Sequence, residues 1–165
     1  SKSQVSRMTA DMDEHMREFR TRPLGDSGPF TFVACDALTM KVRAGGRVIN
    51  TMVLVATGVN ADGHREVLGM QVATAETTMA WNTFFADLVA RGLTGVKLIT
   101  SDAHAGLVEA MRANFPGTSW QRCRTHYAAN LMSVTPKSMW PAVKARACQV
   151  FCVRDVWSGV VRGRD

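Results

Sequence analysis

The sequence predicts a mixed α/β fold: an N-terminal helix, three antiparallel strands, and then alternating helices and parallel strands. Three observations support this prediction. Three strand-like apolar segments follow one another with turn sequences between them. The apolar spacing then changes to helical steps, and helical and strand-like segments alternate after that point. With 165 residues, 46% of them hydrophobic, the chain suits one domain with a substantial core.

The first half of the chain predicts one helix and three strands. Residues 1–22 carry apolar side chains at three- and four-residue steps, which predicts a helix with one apolar stripe. The stripe consists of Val5, Met8, Met12, Met16 and Phe19. After "RPLGDSGP" ends the helix, "FTFVACDALTMKV", "VINTMVLVATGV" and "EVLGMQVATA" predict strands. The intervening "AGGR" and "NADGHR" predict hairpin turns, so these strands are expected to be antiparallel.

The second half predicts alternating helices and strands. In "TTMAWNTFFADLVARGL" the large apolar residues follow helical spacing, and Gly92 ends the helix. "VKLITSDAHAGL" begins as a buried strand, and "GLVEAMRANF" predicts the next helix. "SWQRCRTHYAANLMSV" predicts a short strand and a helix, and "PKSMWPAVKARACQVF" a further helix. This order is the ribonuclease-H-like arrangement, in which the first strand lies beside the strand that follows the first crossover helix.

Asp36 and Asp102 are expected to lie near each other, because each belongs to one of those two neighbouring strands. Two carboxylates held close together repel, and one takes up a proton unless a cation intervenes. Mg²⁺ suits such a pair, since it binds carboxylates, waters and phosphate oxygens. Two such ions about 3.5–4 Å apart support phosphodiester hydrolysis and strand transfer, and a third acid normally completes the site.

A structural role for both acids is the alternative. Asp102 would then be the N-cap of the helix that begins near Gly106, and Asp36 an isolated polar residue on an edge strand. His104 is expected to be a structural or surface residue rather than a metal ligand.

The charge distribution favours a polyanion partner. The net charge is +6, and residues 112–165 carry nine Lys or Arg against only Asp155 and Asp165. Such a basic segment favours nucleic acid, and a solvated basic surface is the alternative. No apolar run approaches the roughly 18 residues of a membrane span, and no signal-peptide core is present. We therefore expect a cytoplasmic protein without a membrane partner.

The four cysteines are expected to be reduced thiols. Cys123 and His126 form a C-x2-H pair, which is half of a tetrahedral zinc site. Cys148 and Cys152 would complete that site only if the fold brought them close to the pair.

Several long segments resemble the mutator-type transposases of bacterial insertion sequences, a group within the DDE transposases. They are "FVACDALTMKVRAGGRV", "VATGVNADGHREVLGMQVATAE", "ADLVARGLTGVKLITSDAHAGL", "WQRCRTHYAANLM" and "PKS". The resemblance implies a ribonuclease-H-like catalytic domain that uses Mg²⁺ or Mn²⁺ to cut DNA at the element ends and join them to target DNA. It also implies a homo-oligomer in the full-length form and a nucleoid-associated location.

The resemblance assigns roles to four residues. Asp36 in "CDALTMK" and Asp102 in "TSDAH" match the family's first and second catalytic, metal-binding acids. Cys123 and His126 in "CRTH" match its C-x2-H signature, which resembles a site-supporting element rather than a zinc site.

The resemblance also implies a division of the chain into three parts. The opening "SKSQVS" is similar to the end of a helix-turn-helix region. We therefore expect an N-terminal helix and linker, the remnant of a DNA-binding region, at 1–28, an incomplete ribonuclease-H-like catalytic core at 29–147, and an atypical tail at 148–165.

The chain departs from the family pattern near its C-terminal end. The family's third acid, a Glu, follows a helical insertion beyond the "PKS" region, whereas here only Asp155 and Asp165 follow Glu109. A truncated or frameshifted gene accounts for this departure, so we expect little or no transposition by this chain. Two other functions stay open: a non-catalytic DNA-binding or inhibitory transposase fragment, and an independent ribonuclease-H-like nuclease with a different third acid.

Overall fold

The computed structural model describes the backbone of residues 2–151 and the side chains of residues 4–147. The helices are α1 (Lys2–Thr21), α2 (Thr78–Ala90), α3 (Ala105–Asn114), α4 (Arg124–Ser133) and α5 (Trp140–Phe151). The strands are β1 (Phe30–Ala44), β2 (Arg47–Asn60), β3 (Arg65–Ala73), β4 (Leu98–Ser101) and β5 (Ser119–Arg122). Short 3-10 turns, Gly25–Ser27 and Lys137–Met139, precede β1 and α5. Most of the predicted tail at 148–165 lies outside the described residues.

The five strands form one mixed sheet in the order β3-β2-β1-β4-β5. β1 pairs antiparallel with β2, and β2 with β3, as the two hairpin turns predict. β4 lies parallel to β1 on its other side, and β5 lies parallel to β4. The predicted N-terminal helix, followed in the chain by a mixed sheet, is therefore confirmed. Within this sheet β1 and β4 lie side by side.

The turn between β1 and β2 fixes the register of the first hairpin. Gly45 and Gly46 both have positive φ angles, of 56° and 76°. Tight hairpin turns require this left-handed backbone, and glycine adopts it without a Cβ clash. The "AGGR" sequence thus sets where β1 reverses into β2, in a register that pairs Asp36 with Val55.

One face of the sheet packs against α2 and α3. The aromatic centre of this core is a group of α2 rings with centroids 5.3 to 6.0 Å apart, formed by Trp81, Phe84 and Phe85. Val33 and Cys35 of β1 belong to the same buried core. Because side chains alternate between the two faces of a strand, the burial of these two residues turns Asp36 towards the opposite face.

The helices α4 and α5 form a second, smaller apolar cluster. It consists of Ala128, Met132 and Ala147, with Trp140 and Val143 packed against it. Since α4 begins directly after β5, and β5 pairs with β4, the start of α4 lies at the part of the sheet where β4 ends.

The helix α1 is present as predicted, but its apolar stripe is not buried by the described residues. Val5, Met8 and Met12 are 63% to 65% exposed. Helical spacing predicts which face of a helix is apolar, but it does not predict whether the same chain covers that face. Within residues 2–151, no helix combines the length and the apolar composition that a membrane span requires.

Candidate active site

Asp36 lies in β1 on the sheet face opposite the aromatic core. Its side chain is 49% exposed, and its Oδ1 accepts a hydrogen bond from the Ala37 amide at 2.9 Å. Water and ions therefore reach the carboxylate, and its position in the strand carries little of the desolvation cost of a buried charge.

Asp102 follows directly after β4, and its backbone is held by the residue before it. Ser101 is fully buried, and its Oγ donates to the Asp102 carbonyl at 2.7 Å while accepting from the Trp120 indole at 2.9 Å. The Asp102 Oδ1 accepts a hydrogen bond from the His104 amide at 3.1 Å. These bonds fix both the backbone and the carboxylate of Asp102 at the end of the strand.

The two placements that the structural alternative gave, a helix cap for Asp102 and an edge strand for Asp36, are wrong. The N-cap of α3 is His104, whose Nδ1 accepts from the Leu107 amide at 3.4 Å, so Asp102 does not cap this helix. The Asp102 carboxylate instead closes a short turn ahead of the helix. Nor is Asp36 on an edge strand, because β2 and β4 flank β1. His104 has the structural role that was predicted.

The register of β1 and β4 relates the two acids through one pair of residues that precedes them. Ala34 pairs with Thr100 in the parallel ladder. Asp36 and Asp102 each lie two residues further along the chain than this pair. Asp36 continues the row of Ala34 within β1, whereas Asp102 lies one residue past the end of β4, where strand alternation no longer fixes its side chain.

The C-x2-H pair reaches the same region from the start of α4. The His126 Nε2 lies 3.7 Å from the Asp36 Oδ1, and the Cys123 amide donates to the Ser101 carbonyl at 2.5 Å. Asp36, Cys123 and His126 line a common cavity of about 170 Å³, which Asp102 does not line. His126 of the C-x2-H pair thus contacts Asp36 directly. Cys123 contacts Ser101, the last residue of β4, which directly precedes Asp102.

The donor set fits a hard cation better than zinc. Among the described residues, no group of three or more His, Cys, Asp or Glu side chains is placed to hold a metal ion. A structural zinc site needs four ligands, and Cys148 and Cys152 lie outside the described side chains. Two carboxylates, completed by waters and phosphate oxygens, instead suit Mg²⁺.

Two buried polar atoms at the C-x2-H pair and its neighbour Arg122 have no hydrogen-bond partner among the described residues. The His126 Nδ1 and the Arg122 Nε are buried and form no hydrogen bond with any described residue. The Arg122 guanidinium lies 5.3 Å from the centre of the Tyr127 ring. Arg122 and Arg124 flank Cys123 in sequence, and Cys123 lines the cavity at Asp36.

Burial removes Cys35 from the chemistry of the site, although it lines the same cavity. Burial, and secondly the negative charge of Asp36, raises the pKa of the Cys35 thiol to about 12. Only a thiolate is a good nucleophile or metal ligand, so the thiol of Cys35 is inert near neutral pH.

Glu76, which contacts the residue bound to the Asp102 carboxylate, was not predicted from the sequence. The Oε1 of Glu76, in the segment between β3 and α2, accepts from the Trp81 indole at 3.0 Å and lies 3.4 Å from the His104 Nδ1. No spacing rule links Glu76 to His104, because the contact depends on how α2 and α3 pack. The one local feature that marks Glu76 in the sequence is its position directly before Thr77, the N-cap of α2.

Comparison with known proteins places the chain in a family. The profile described as "Transposase, Mutator family" matches residues 1–162. The chain is 57% identical over 162 residues to the transposase for insertion sequence element IS1081 of Mycobacterium tuberculosis, covering 98% of this chain and 39% of that protein. It is 35% identical over 156 residues to the transposase for insertion sequence element IS256 in transposon Tn4001 of Staphylococcus aureus, covering 94% and 40%.

These comparisons also set the extent of the likeness. The chain spans about two-fifths of the length of the two curated relatives. Among solved structures, it is similar to the catalytic core domain of BIV integrase at 14% identity and a TM-score of 0.36, covering 84% of this chain and 87% of that one. Because the profile match covers residues 1–162 and the identity to a curated transposase reaches 57%, this chain belongs to the mutator family of transposases.

Proposed function

We propose that this chain supplies two acids of a divalent-metal active site that cuts DNA and joins the ends during transposition. The observation that carries the proposal is the parallel pairing of β1 with β4, in which Ala34 lies opposite Thr100, two residues before Asp36 and Asp102 respectively. Membership of the transposase family supports the reaction class. The strand order and the crossover helices support a ribonuclease-H-like fold.

Each of the chain's own residues would have a different role at this site. Asp36 and Asp102 would hold Mg²⁺ or Mn²⁺, with waters and DNA phosphate oxygens as the remaining ligands. Such an ion polarises the phosphate and lowers the pKa of the attacking water or 3′-hydroxyl. Asp36 suits this role because its carboxylate is half exposed, and Asp102 because the bonds of Ser101 fix its backbone. His126 would steady the Asp36 carboxylate from the side of α4.

The basic residues that flank and follow the C-x2-H pair in sequence support DNA as the partner. Arg122 and Arg124 flank the Cys123 that lines the cavity at Asp36, and Lys137 and Lys144 follow on the adjoining helical segments. Lys and Arg side chains bind DNA by neutralising phosphates, which releases counterions. We infer that DNA approaches the acids from the side of β5 and α4, which would place the protein at the nucleoid.

A second candidate function is a DNA-binding fragment that does not catalyse cleavage. It is favoured by one observation: no third carboxylate joins Asp36 and Asp102 in a metal-binding group among the described residues. A site with two acids would hold the second metal ion weakly. On this view the chain by itself does not cut DNA, and it inhibits a complete transposase by occupying the same DNA.

The test compares the 165-residue chain with its Asp36→Asn variant on DNA that carries an insertion-sequence end, with and without Mn²⁺. We expect both proteins to bind DNA, with an affinity that falls steeply as salt is raised, and neither to cleave it. Metal-dependent cleavage by the wild type that disappears in Asp36→Asn would refute the inactive fragment and establish an independent nuclease. Absence of DNA binding at low salt would refute both candidate functions.

A further inference from the structure

We propose that Glu76 is a positioning residue for Asp102 and acts through His104. This inference rests on the proposed function, because it concerns how the second acid of that site is oriented. It is carried by a continuous series of contacts from the aromatic core to the Asp102 carboxylate, through Trp81, Glu76 and His104.

The first contact anchors Glu76 to the core. Trp81 is fully buried, and its indole N–H donates to the Glu76 Oε1 at 3.0 Å. The Glu76 side chain is only 18% exposed. A carboxylate that has lost most of its hydration needs hydrogen bonds in compensation, and a fixed indole donor gives it one orientation.

The second contact extends this anchor to His104. The His104 Nδ1 lies 3.4 Å from the Glu76 Oε1 and also 3.4 Å from the Leu107 amide. The two contacts use the same nitrogen: Nδ1 accepts from the Leu107 amide when it carries no proton, and it donates to the Glu76 Oε1 when it carries one. With its proton on Nδ1, the imidazole is held against Glu76.

The third contact transmits this constraint to the acid. The backbone amide of His104 donates to the Asp102 Oδ1 at 3.1 Å, so the orientation of the carboxylate depends on where residue 104 lies. Holding the His104 ring therefore restricts the Asp102 carboxylate. Partners that orient a metal ligand in this way typically change metal affinity by about 10- to 100-fold when they are removed.

Close packing makes the arrangement rigid. A Cβ on Gly106 would lie 2.8 Å from the Thr78 amide nitrogen and 3.1 Å from the His104 Cε1. The first turn of α3 therefore lies directly against the first turn of α2, with room for glycine alone at this position. Small movements of His104 relative to Glu76 are correspondingly restricted.

A second acid shows that the contact between helices does not itself require Glu76. The Glu109 Oε2 accepts from the Thr78 Oγ1 at 3.1 Å and so joins α3 to α2 on the exposed side. Within the described part of the chain, the side-chain contact of Glu109 is with Thr78, and not with His104 or Asp102. Glu109 is therefore a suitable control for Glu76, because each acid accepts a hydrogen bond from a residue of α2. Of the two, Glu76 is the one that contacts His104, whose amide binds the Asp102 carboxylate.

The experiment measures Mn²⁺ affinity of the full 165-residue chain by the electron paramagnetic resonance signal of free Mn²⁺. The variants are Asp102→Asn, Glu76→Ala, Glu76→Gln, His104→Ala and Glu109→Ala, each first checked for folding by circular dichroism. We expect Asp102→Asn to lose binding and Glu76→Ala to weaken it about 10- to 100-fold. Glu76→Gln should recover most of the affinity, because an amide oxygen still accepts from Trp81 and His104. Glu109→Ala should bind like the wild type.

Three outcomes decide between the claims. If Asp102→Asn weakens binding but Glu76→Ala binds like Glu109→Ala, the positioning role is refuted and the metal site stands. If Asp102→Asn binds like the wild type, the metal site itself fails, and the positioning role fails with it. Should Glu76→Ala not fold, His104→Ala decides: a loss of affinity supports the proposal, and wild-type affinity overturns it.

Discussion

The Nε2 atom of His126 lies 3.7 Å from the Oδ1 atom of Asp36, although one residue is in α4 and the other in β1. The same C-x2-H signature contacts the end of β4, because the Cys123 amide donates to the Ser101 carbonyl. The signature therefore contacts β1, which carries Asp36, and β4, which ends one residue before Asp102. These contacts agree with the predicted structural or site-supporting role of the signature, which stays a prediction.

His126→Ala should weaken Mn²⁺ binding about tenfold, because the carboxylate of Asp36 loses an orienting partner. The free energy of unfolding should change little, since the two side chains are 38% and 49% exposed and such pairs contribute roughly 0–1 kcal/mol. Electron paramagnetic resonance and urea denaturation measure the two effects. His64→Ala, in the exposed turn between β2 and β3, is the matched control. Equal Mn²⁺ affinity in the two variants would refute the role of His126.

Gly106→Ala should lower the free energy of unfolding by about 1–3 kcal/mol, because the new methyl group overpacks the contact between α2 and α3. Its Cβ would lie 2.8 Å from the Thr78 backbone nitrogen. A side chain could relieve such a clash by changing its rotamer, but the backbone cannot. Gly25→Ala is the control, since a Cβ there has no atom within 4 Å. Urea denaturation of both variants is the measurement, and a fully stable Gly106→Ala protein would contradict the packing described.

Trp81→Ala should destabilise the protein by about 3–5 kcal/mol, the usual loss for a large buried aromatic residue. Trp81 is fully buried, and its ring centroid lies 5.3 Å from that of Phe85. Met79→Ala, two residues away in the same helix, should have almost no effect because Met79 is 77% exposed. Comparable losses of stability in the two variants, measured by thermal denaturation, would show that α2 does not pack as described.

The stability of the protein should decline between pH 9 and pH 12 because of Cys35. Burial, and secondly Asp36, raises the pKa of its thiol from 9.0 to about 12, so the folded state holds the thiol proton more tightly than the unfolded state. This contribution is complete below pH 9 and is lost as the pH rises towards 12, by up to roughly 4 kcal/mol.

Urea denaturation across this pH range checks the prediction. Cys35→Ala should show a smaller decline than the wild type, whereas Cys123→Ala should show the wild-type decline. Cys123 suits this comparison because its thiol is only partly buried. An identical decline in all three proteins would mean that other groups cause it.

The sequence predicted the secondary structure because its signals are local. The paired glycines of "AGGR" demand a hairpin turn, and the helical spacing of Trp81, Phe84 and Phe85 demands a helix with one buried face. Burial was predicted less well. The stripe of α1 is as regular as the buried face of α2, yet Val5 and Met12 stay exposed. Periodicity identifies an apolar face but carries no information about which surface covers it.

The candidate site could be predicted in part. The succession of elements predicted that β1 and β4 are neighbours, and the sheet order confirms this; that Asp36 and Asp102 share a site stays a prediction. The contacts of His126 with Asp36 and of Glu76 with His104 depend on how helices lie against each other and against the sheet. These arrangements are set by packing across distant parts of the chain, as at Gly106, and not by any local pattern.

The most direct test of the central claim is a Mn²⁺ titration of the ¹⁵N-labelled 165-residue chain followed by nuclear magnetic resonance. If Asp36 and Asp102 share a cation, low concentrations of Mn²⁺ will broaden the amide signals around both residues together, with those of Cys123 and His126. Asp36→Asn will abolish this broadening at all of these positions. Broadening around only one of the two acids, or broadening that persists in Asp36→Asn, would contradict the shared metal site.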